Sequence, residues 1–205
     1  LGDAFAARGY LRGHDDWNWD GALADLVKAV TLDPGDAPNQ LRYGYLLATL
    51  GRLPEARVAL GKSTEQDPRF TPAWWWLGRV KAAQTDYDGA RLALDRALAI
   101  DPEFQSASFY LGIISLLEHD PATARGVFAK LRNPFGLALA EHDLGQAAQS
   151  QQAVGQLNSQ HSQHGAYNLT SPFTCMCNGD RSFQSPARAF VQRSSRLCIV
   201  TEVLL

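Results

Sequence analysis

The chain has 205 residues, a formal net charge of −2 and an apolar fraction of 45%. That length and composition suit one folded domain with an appendage. The near-neutral charge excludes strong electrostatic attraction to nucleic acid or acidic membranes, and no apolar run approaches the roughly 20 residues that span a bilayer.

Asp-Pro recurs at Asp33-Pro34, Asp67-Pro68 and Asp101-Pro102, at a spacing of 34 residues. Gly44, Gly78 and Gly112 keep that spacing, as do Ala22, Ala56, Ala90 and Ala124. A fixed period in this range marks an array of stacked supersecondary units, and 34 is the length of the tetratricopeptide helix-turn-helix.

The first unit matches Leu1, Gly2 and Phe5 to its first helix and Ala22, Leu26, Ala29 and Pro34 to its second. About eight extra residues then separate the two sets, including His14-Asp15-Asp16-Trp17-Asn18-Trp19-Asp20, so that helix or its loop is expected to be longer. Leu1-Gly2 reads as the middle of a first helix, which predicts a fragment of a longer protein with any targeting segment upstream. The second unit keeps Gly44, Ala56, Leu60 and Pro68, with Ser63 where a second Ala is expected.

The third unit is the most regular, with Trp74, Leu77 and Gly78 on one helix, Ala90, Leu94 and Ala97 on the next, and Pro102 at the close. Gly78 and Ala90 are small enough for two helices to approach closely, Leu94 and Ala97 share a helical face, and Pro102 cannot continue a helix. Trp74 is expected to fill the space between neighbouring helices. Asp86 and Asp88, at the entry to a helix, read as capping residues rather than an acid–base pair. The fourth unit keeps Leu111, Gly112, Ala124 and Phe128, with Asp120 as N-cap before Pro121, and ends irregularly, Asn133-Pro134 arriving early and Gly136 standing where Pro is expected. A weaker fifth unit covers Leu137 to Leu157, turning at Leu144-Gly145.

These residues stand where the tetratricopeptide repeat family places its Trp, Leu, Gly, Ala, aromatic, Ala and Pro signature, so the chain resembles that family over residues 1–157. The expected fold is an all-α, right-handed α-solenoid of units at about 1–36, 37–70, 71–104, 105–136 and 137–157, followed by an irregular tail over 158–205. The Asp-Trp-Asn-Trp-Asp opening is similar to that of tetratricopeptide arrays at the C-terminal end of bacterial regulators, behind a winged-helix or nucleotide-cyclase domain.

The resemblance implies non-catalytic binding of a protein or peptide on a concave face lined by first helices. Projecting the helical period places Leu41, Arg42 and Tyr45 there from the second unit, Trp75, Trp76 and Arg79 from the third, and Phe109, Ile113 and Leu116 from the fourth. Three consecutive tryptophans point about 100° apart around a helix, so they are not expected to be equally buried. Such a mixed apolar and cationic groove suits a peptide with aromatic or aliphatic anchors and a carboxylate. The Lys/Asn carboxylate clamp of the family's chaperone-binding members is not found. The alternative function is a structural spacer, or a homodimerisation module acting through Trp17 and Trp19.

Beyond Leu157 the period decays. Ser159-Gln160-His161-Ser162-Gln163-His164 reads as a loop, and a helix that begins near Ala166 and Tyr167 breaks at Ser171-Pro172. The repeats carry 15 basic and 19 acidic residues and the tail 4 and 2, so the charge balance reverses where the pattern stops. A shifted reading frame accounts for that break, with a poorly ordered natural extension as the alternative. The apolar end from Leu197 to Leu205 is β-prone.

His161, His164, Cys175 and Cys177 lack a usual zinc spacing, Cys175 has no neighbour that would activate it, and Asn168-Leu169-Thr170 is a glycosylation match without a secretory signal. No metal or cofactor is therefore expected, and neither nucleic acid nor membrane as a partner. The three cysteines, all in the tail, fit a reducing compartment. Cytoplasmic placement is the expectation, or periplasmic if a membrane span lies upstream.

Overall fold

A computed structural model describes residues 1–164. Among the described residues all regular structure is helical: α1 (Gly2–His14), α2 (Trp19–Leu32), α3 (Ala37–Thr49), α4 (Leu53–Gln66), α5 (Thr71–Ala83), α6 (Tyr87–Ile100), α7 (Gln105–Leu117), α8 (Pro121–Lys130), α9 (Pro134–Asp143) and α10 (Ala147–His164). The helices form successive pairs. Two compact units are present, one from Leu1 to Ala107 and one beginning at Ser108.

The periodic residues do local work. Asp33, Asp67 and Asp101 end α2, α4 and α6 in an extended backbone (φ −136°, −131° and −134°), the conformation that a following proline imposes. The Asp67 and Asp101 carboxylates then accept from the backbone N–H of Arg69 (2.9 Å) and Glu103 (3.1 Å), tightening the turn. Asp86 and Asp120 cap α6 and α8 as expected, accepting from the N–H of Gly89 (3.0 Å) and Thr123 (3.1 Å).

Within each of the first four pairs the first helix is followed by a left-handed residue: Trp17 (φ 54°), Gly51 (73°), Thr85 (61°) and His119 (62°), again at 34-residue spacing. Gly51 N–H bonds Ala48 O and Arg52 N–H bonds Leu47 O, a Schellman closure that satisfies carbonyls at the helix end. Thr85 with Asp86 and His119 with Asp120 repeat the same two bonds.

Each of the first four pairs is drawn together at a glycine. A Cβ on Gly44 would meet Leu60 Cγ at 2.7 Å, and one on Gly78 would meet Leu94 Cγ at 2.8 Å. Buried Leu47, Ala56, Leu60, Leu77, Val80 and Ala93 form a continuous core around these seats, and Leu26, Ala29 and Leu46 form another with Ala6 and Ala22.

The first pair corrects the sequence expectation. Its close-approach glycine is Gly9, not Gly2: a Cβ there would meet Leu26 Cγ and Ala22 O at 3.1 Å, the relation of Gly78 to Leu94 and Ala90 O. Gly9 precedes Leu26 by seventeen residues and Gly78 precedes Leu94 by sixteen, so the pair carries one extra residue rather than eight. It lies in the loop, where the closing bond runs from Asn18 N–H to Arg12 O.

Other expectations are refined or changed. Trp74 is half-buried, packing against the core and donating Nε1 to Pro68 O at 3.0 Å. Gly136, standing where Pro is expected, lies in the first turn of α9, which starts at Pro134 with Asn133 as N-cap, and a Cβ on Gly136 would run into the Phe128 ring. Residues 159–164 are helical, continuing α10 to His164, because Ser, Gln and His include no helix breaker even though they give no apolar stripe. Gly145 (φ 74°) does mark the turn into α10. The frame-shift reading, the two cysteines of the weighed zinc set and the glycosylation match at Asn168 lie outside the described residues.

Candidate peptide-binding face

In the first unit α3 and α5 are in contact and carry six of the expected groove residues. Four of them meet. The Tyr45 ring packs edge-on against Trp76 (centroids 4.8 Å), Trp76 tilts against Trp75 (5.1 Å), and the Arg79 guanidinium lies 3.9 Å from the Trp76 centroid and 5.0 Å from that of Trp75. Trp75 also meets Phe104 edge-on at 5.8 Å.

Tyr45, Trp75, Trp76 and Phe104 are half-buried. Arg79 is 8% exposed, so it supports the aromatic cluster from beneath and does not present a free cation. The tryptophans are not sorted into one core and two surface residues: all three are half-buried, and Trp74 and Trp76 both pack against the core around Leu77. Leu41 packs against that core as well.

Arg42 stands apart from the tryptophans. Its Nη1 donates to Asn39 Oδ1 at 2.9 Å, and its side chain borders a small notch between α1, α2 and α3 lined by Tyr10, Trp19, Leu26, Tyr45 and Leu46. The notch has Gly9 and Gly13 in its walls, where larger residues would close it.

The second unit places its three candidates differently. Phe109 is half-buried among Phe128 (5.5 Å), Tyr110 (5.8 Å) and Phe135 (6.3 Å). Leu116 is half-buried. Ile113 is 4% exposed and belongs to the core, because it is adjacent in the chain to Gly112, where α7 and α8 approach most closely against Phe128. It is therefore corrected from a groove residue to a packing residue.

Sequence projection missed Phe104 and Tyr10. Phe104 precedes a first helix, and Phe70 stands 34 residues before it, a periodic signal in the loops that helix projection does not use. Among the described residues no cluster of three or more His, Cys, Asp or Glu could hold a metal ion, and no helix is long and apolar enough to cross a membrane.

Tetratricopeptide repeat family models match residues 15–79, and residues 64–103 and 77–134, together more than half of the chain. The chain belongs to the tetratricopeptide repeat family. No curated protein matches it in sequence. Solved structures share the tetratricopeptide solenoid fold. PilW, a type IV pilus biogenesis factor, is 24% identical over 77% of each chain (TM-score 0.69). TTC0263 of Thermus thermophilus, a tetratricopeptide protein, is 14% identical over 83% of this chain and 94% of its own (TM-score 0.68). The first tetratricopeptide domain of Spaghetti (RPAP3), bound to the HSP90 peptide SRMEEVD, is 17% identical over 57% of this chain and 91% of its own (TM-score 0.54). This tetratricopeptide array thus has the fold of a non-catalytic protein-interaction scaffold.

Proposed function

We propose that the array is the peptide-binding module of a larger bacterial regulatory protein, and that its ligand docks on the half-buried aromatic cluster of α3 and α5. The observation that carries this reading is the contact of Tyr45 with Trp76, which joins the aromatic surfaces of two consecutive first helices. Partly exposed, pre-packed aromatic rings offer large contact area at low entropic cost. The RPAP3 domain shows a relative of the same fold occupied by a peptide. The ligand suited to this surface differs from an acidic chaperone tail, since rings rather than lysines dominate. It is an extended or helical segment with aromatic or aliphatic anchors.

Displayed random peptides selected on the native chain give the probe. The enriched peptides are then titrated against Tyr45→Ser and Trp75→Ser by calorimetry, with circular dichroism checking that each variant remains folded. A loss of at least about tenfold in affinity supports the reading. Unchanged affinity in a folded variant sinks it.

A second reading, a spacer or homodimer contact, draws on one observation. Trp17 is 73% exposed, its ring edge-on to Trp19 at 5.7 Å. Light scattering on the native chain and on Trp17→Ser separates the two: a monomer at high concentration removes the dimer reading.

A further inference from the structure

Arg42 is held in place by a buried amide. Asn39, on the same helix and 0% exposed, accepts from Arg42 Nη1 at 2.9 Å and donates Nδ2 to Asp3 Oδ1 of α1 at 3.2 Å. With both ends of the amide engaged, its oxygen is fixed toward the guanidinium. Among the described residues Arg42 makes no other hydrogen bond, and no carboxylate pairs with it. It is half-buried, so its charge is partly withdrawn from water without a counter-charge. Because Nη1 is committed to Asn39, the Nε–Nη2 edge is left for a planar acceptor that bonds at two points.

The notch beside Arg42 is apolar. Buried Leu26 and Leu46 line it together with the rings of Tyr10, Trp19 and Tyr45. The space open to the centre of a water-sized sphere is about 30 Å³, which suits one small aliphatic side chain. Tyr45 also touches Trp76, so the notch adjoins the aromatic cluster.

We infer that Arg42 and the notch together read two side chains on an extended segment of a partner protein. One is a small branched aliphatic residue seated in the notch. The other is an aspartate or glutamate two positions away, on the same face of the segment, paired with Arg42. The inference rests on the reading that a peptide docks across the Tyr45–Trp76 contact, and it adds what that peptide carries beside its anchors for the rings. The acidic side chain reaches Arg42 while the main chain continues over Tyr45 toward Trp76. The arrangement differs from a Lys/Asn clamp: the cation is single, a neutral amide orients it, and an apolar cleft lies beside it. A carboxylate supplies the missing counter-charge, and partial burial makes such a pair stronger than one on an open surface.

Peptides enriched from a displayed random library on the native chain supply the probes. Each is remade with its acidic residue as the amide, with its aliphatic residue as Gly, and with an amidated carboxy terminus. All are titrated by calorimetry against the native chain, Arg42→Gln and Trp75→Ser, with circular dichroism checking the fold. The enriched peptides are expected to share an acidic residue two positions from Val or Ile. Arg42→Gln and the acid-to-amide change are each expected to weaken binding about tenfold, with little further loss when combined. The Gly peptide is expected to weaken by a similar factor on the native chain, and amidation of the terminus to change nothing. Peptides that lose affinity with Trp75→Ser but bind Arg42→Gln as tightly as the native chain overturn this inference and leave the aromatic reading standing. Peptides indifferent to Trp75→Ser, or no enrichment at all, overturn both. Affinity lost on amidation of the terminus but not on the acid-to-amide change makes a chain end the occupant and overturns the inference. The peptide changes on the native chain decide the matter even where Arg42→Gln does not fold.

Discussion

Gly78 lies against Leu94 with its missing Cβ only 2.8 Å from the leucine's Cγ, and Gly44 and Gly9 stand in the same relation to Leu60 and Leu26. Gly78→Ala is therefore expected to destabilise the protein by about 1–3 kcal/mol through overpacking. Gly61→Ala, on α4 with nothing within 4 Å of the added carbon, should instead stabilise by about 0.5–1 kcal/mol. Urea denaturation followed by circular dichroism gives both values, and equal signs would contradict the packing assignment.

Thr85 and His119 hold the left-handed position that Gly51 fills in the second pair. A β-branched residue with φ of 61° is strained. Thr85→Gly should raise stability by about 0.5–1 kcal/mol despite the greater freedom of glycine in the unfolded chain, and Gly51→Thr should lower it by a similar amount. A pair of melting curves decides the point.

Asp25 is buried on α2 and takes hydrogen bonds from Arg8 and Arg12 of α1. The Arg8 hydrogen bonds, with the charges of Arg12 and Arg8, outweigh burial and hold its carboxyl below the usual carboxylate range. A group with a lowered folded-state pKa contributes stability that is complete above its unfolded value near about pH 4 and is lost as pH falls through the folded value. Asp25→Asn should melt below the native chain at pH 7, and the gap should narrow as pH is lowered past about 4. A gap that stays constant down to about pH 2–3 would show that the ionised carboxylate is not what joins α1 to α2.

Arg79 is sandwiched beside Trp75 and Trp76 and nearly sealed from solvent. Arg79→Ala should cost about 1–3 kcal/mol of stability and red-shift the tryptophan emission as the rings gain water. Arg79→Lys should recover only part of this, because an ammonium does not stack as a planar guanidinium does. Full recovery by lysine would mean that charge alone suffices.

The residues that repeat at 34 announced the helix pairs because each solves a local problem that recurs identically: Asp67-Pro68 stops a helix, Gly78 admits a neighbour, Asp86 caps the next helix. Gly9 escaped notice because a single extra loop residue takes it out of register, while Leu1-Gly2 imitates the Leu77-Gly78 pair. The end of α10 was illegible for another reason: a Ser, Gln and His stretch carries no periodic apolar signal, although nothing in it breaks a helix. Of the candidate face, the helix projection named Tyr45, Trp75 and Trp76, whose rings are in contact. It could not give depth, which depends on how closely neighbouring helices stack, and so Arg79 and Ile113 read as surface when they are buried.

The glycine seats of the first unit join residues only sixteen or seventeen positions apart, and the helix stops beside them close over five or six. Little chain must be looped before a contact forms, so ordering can begin at any pair and spread to its neighbours, and loss of one end removes a module without dissolving the rest. Stability in such a molecule is a profile along the chain, best resolved by amide exchange pair by pair.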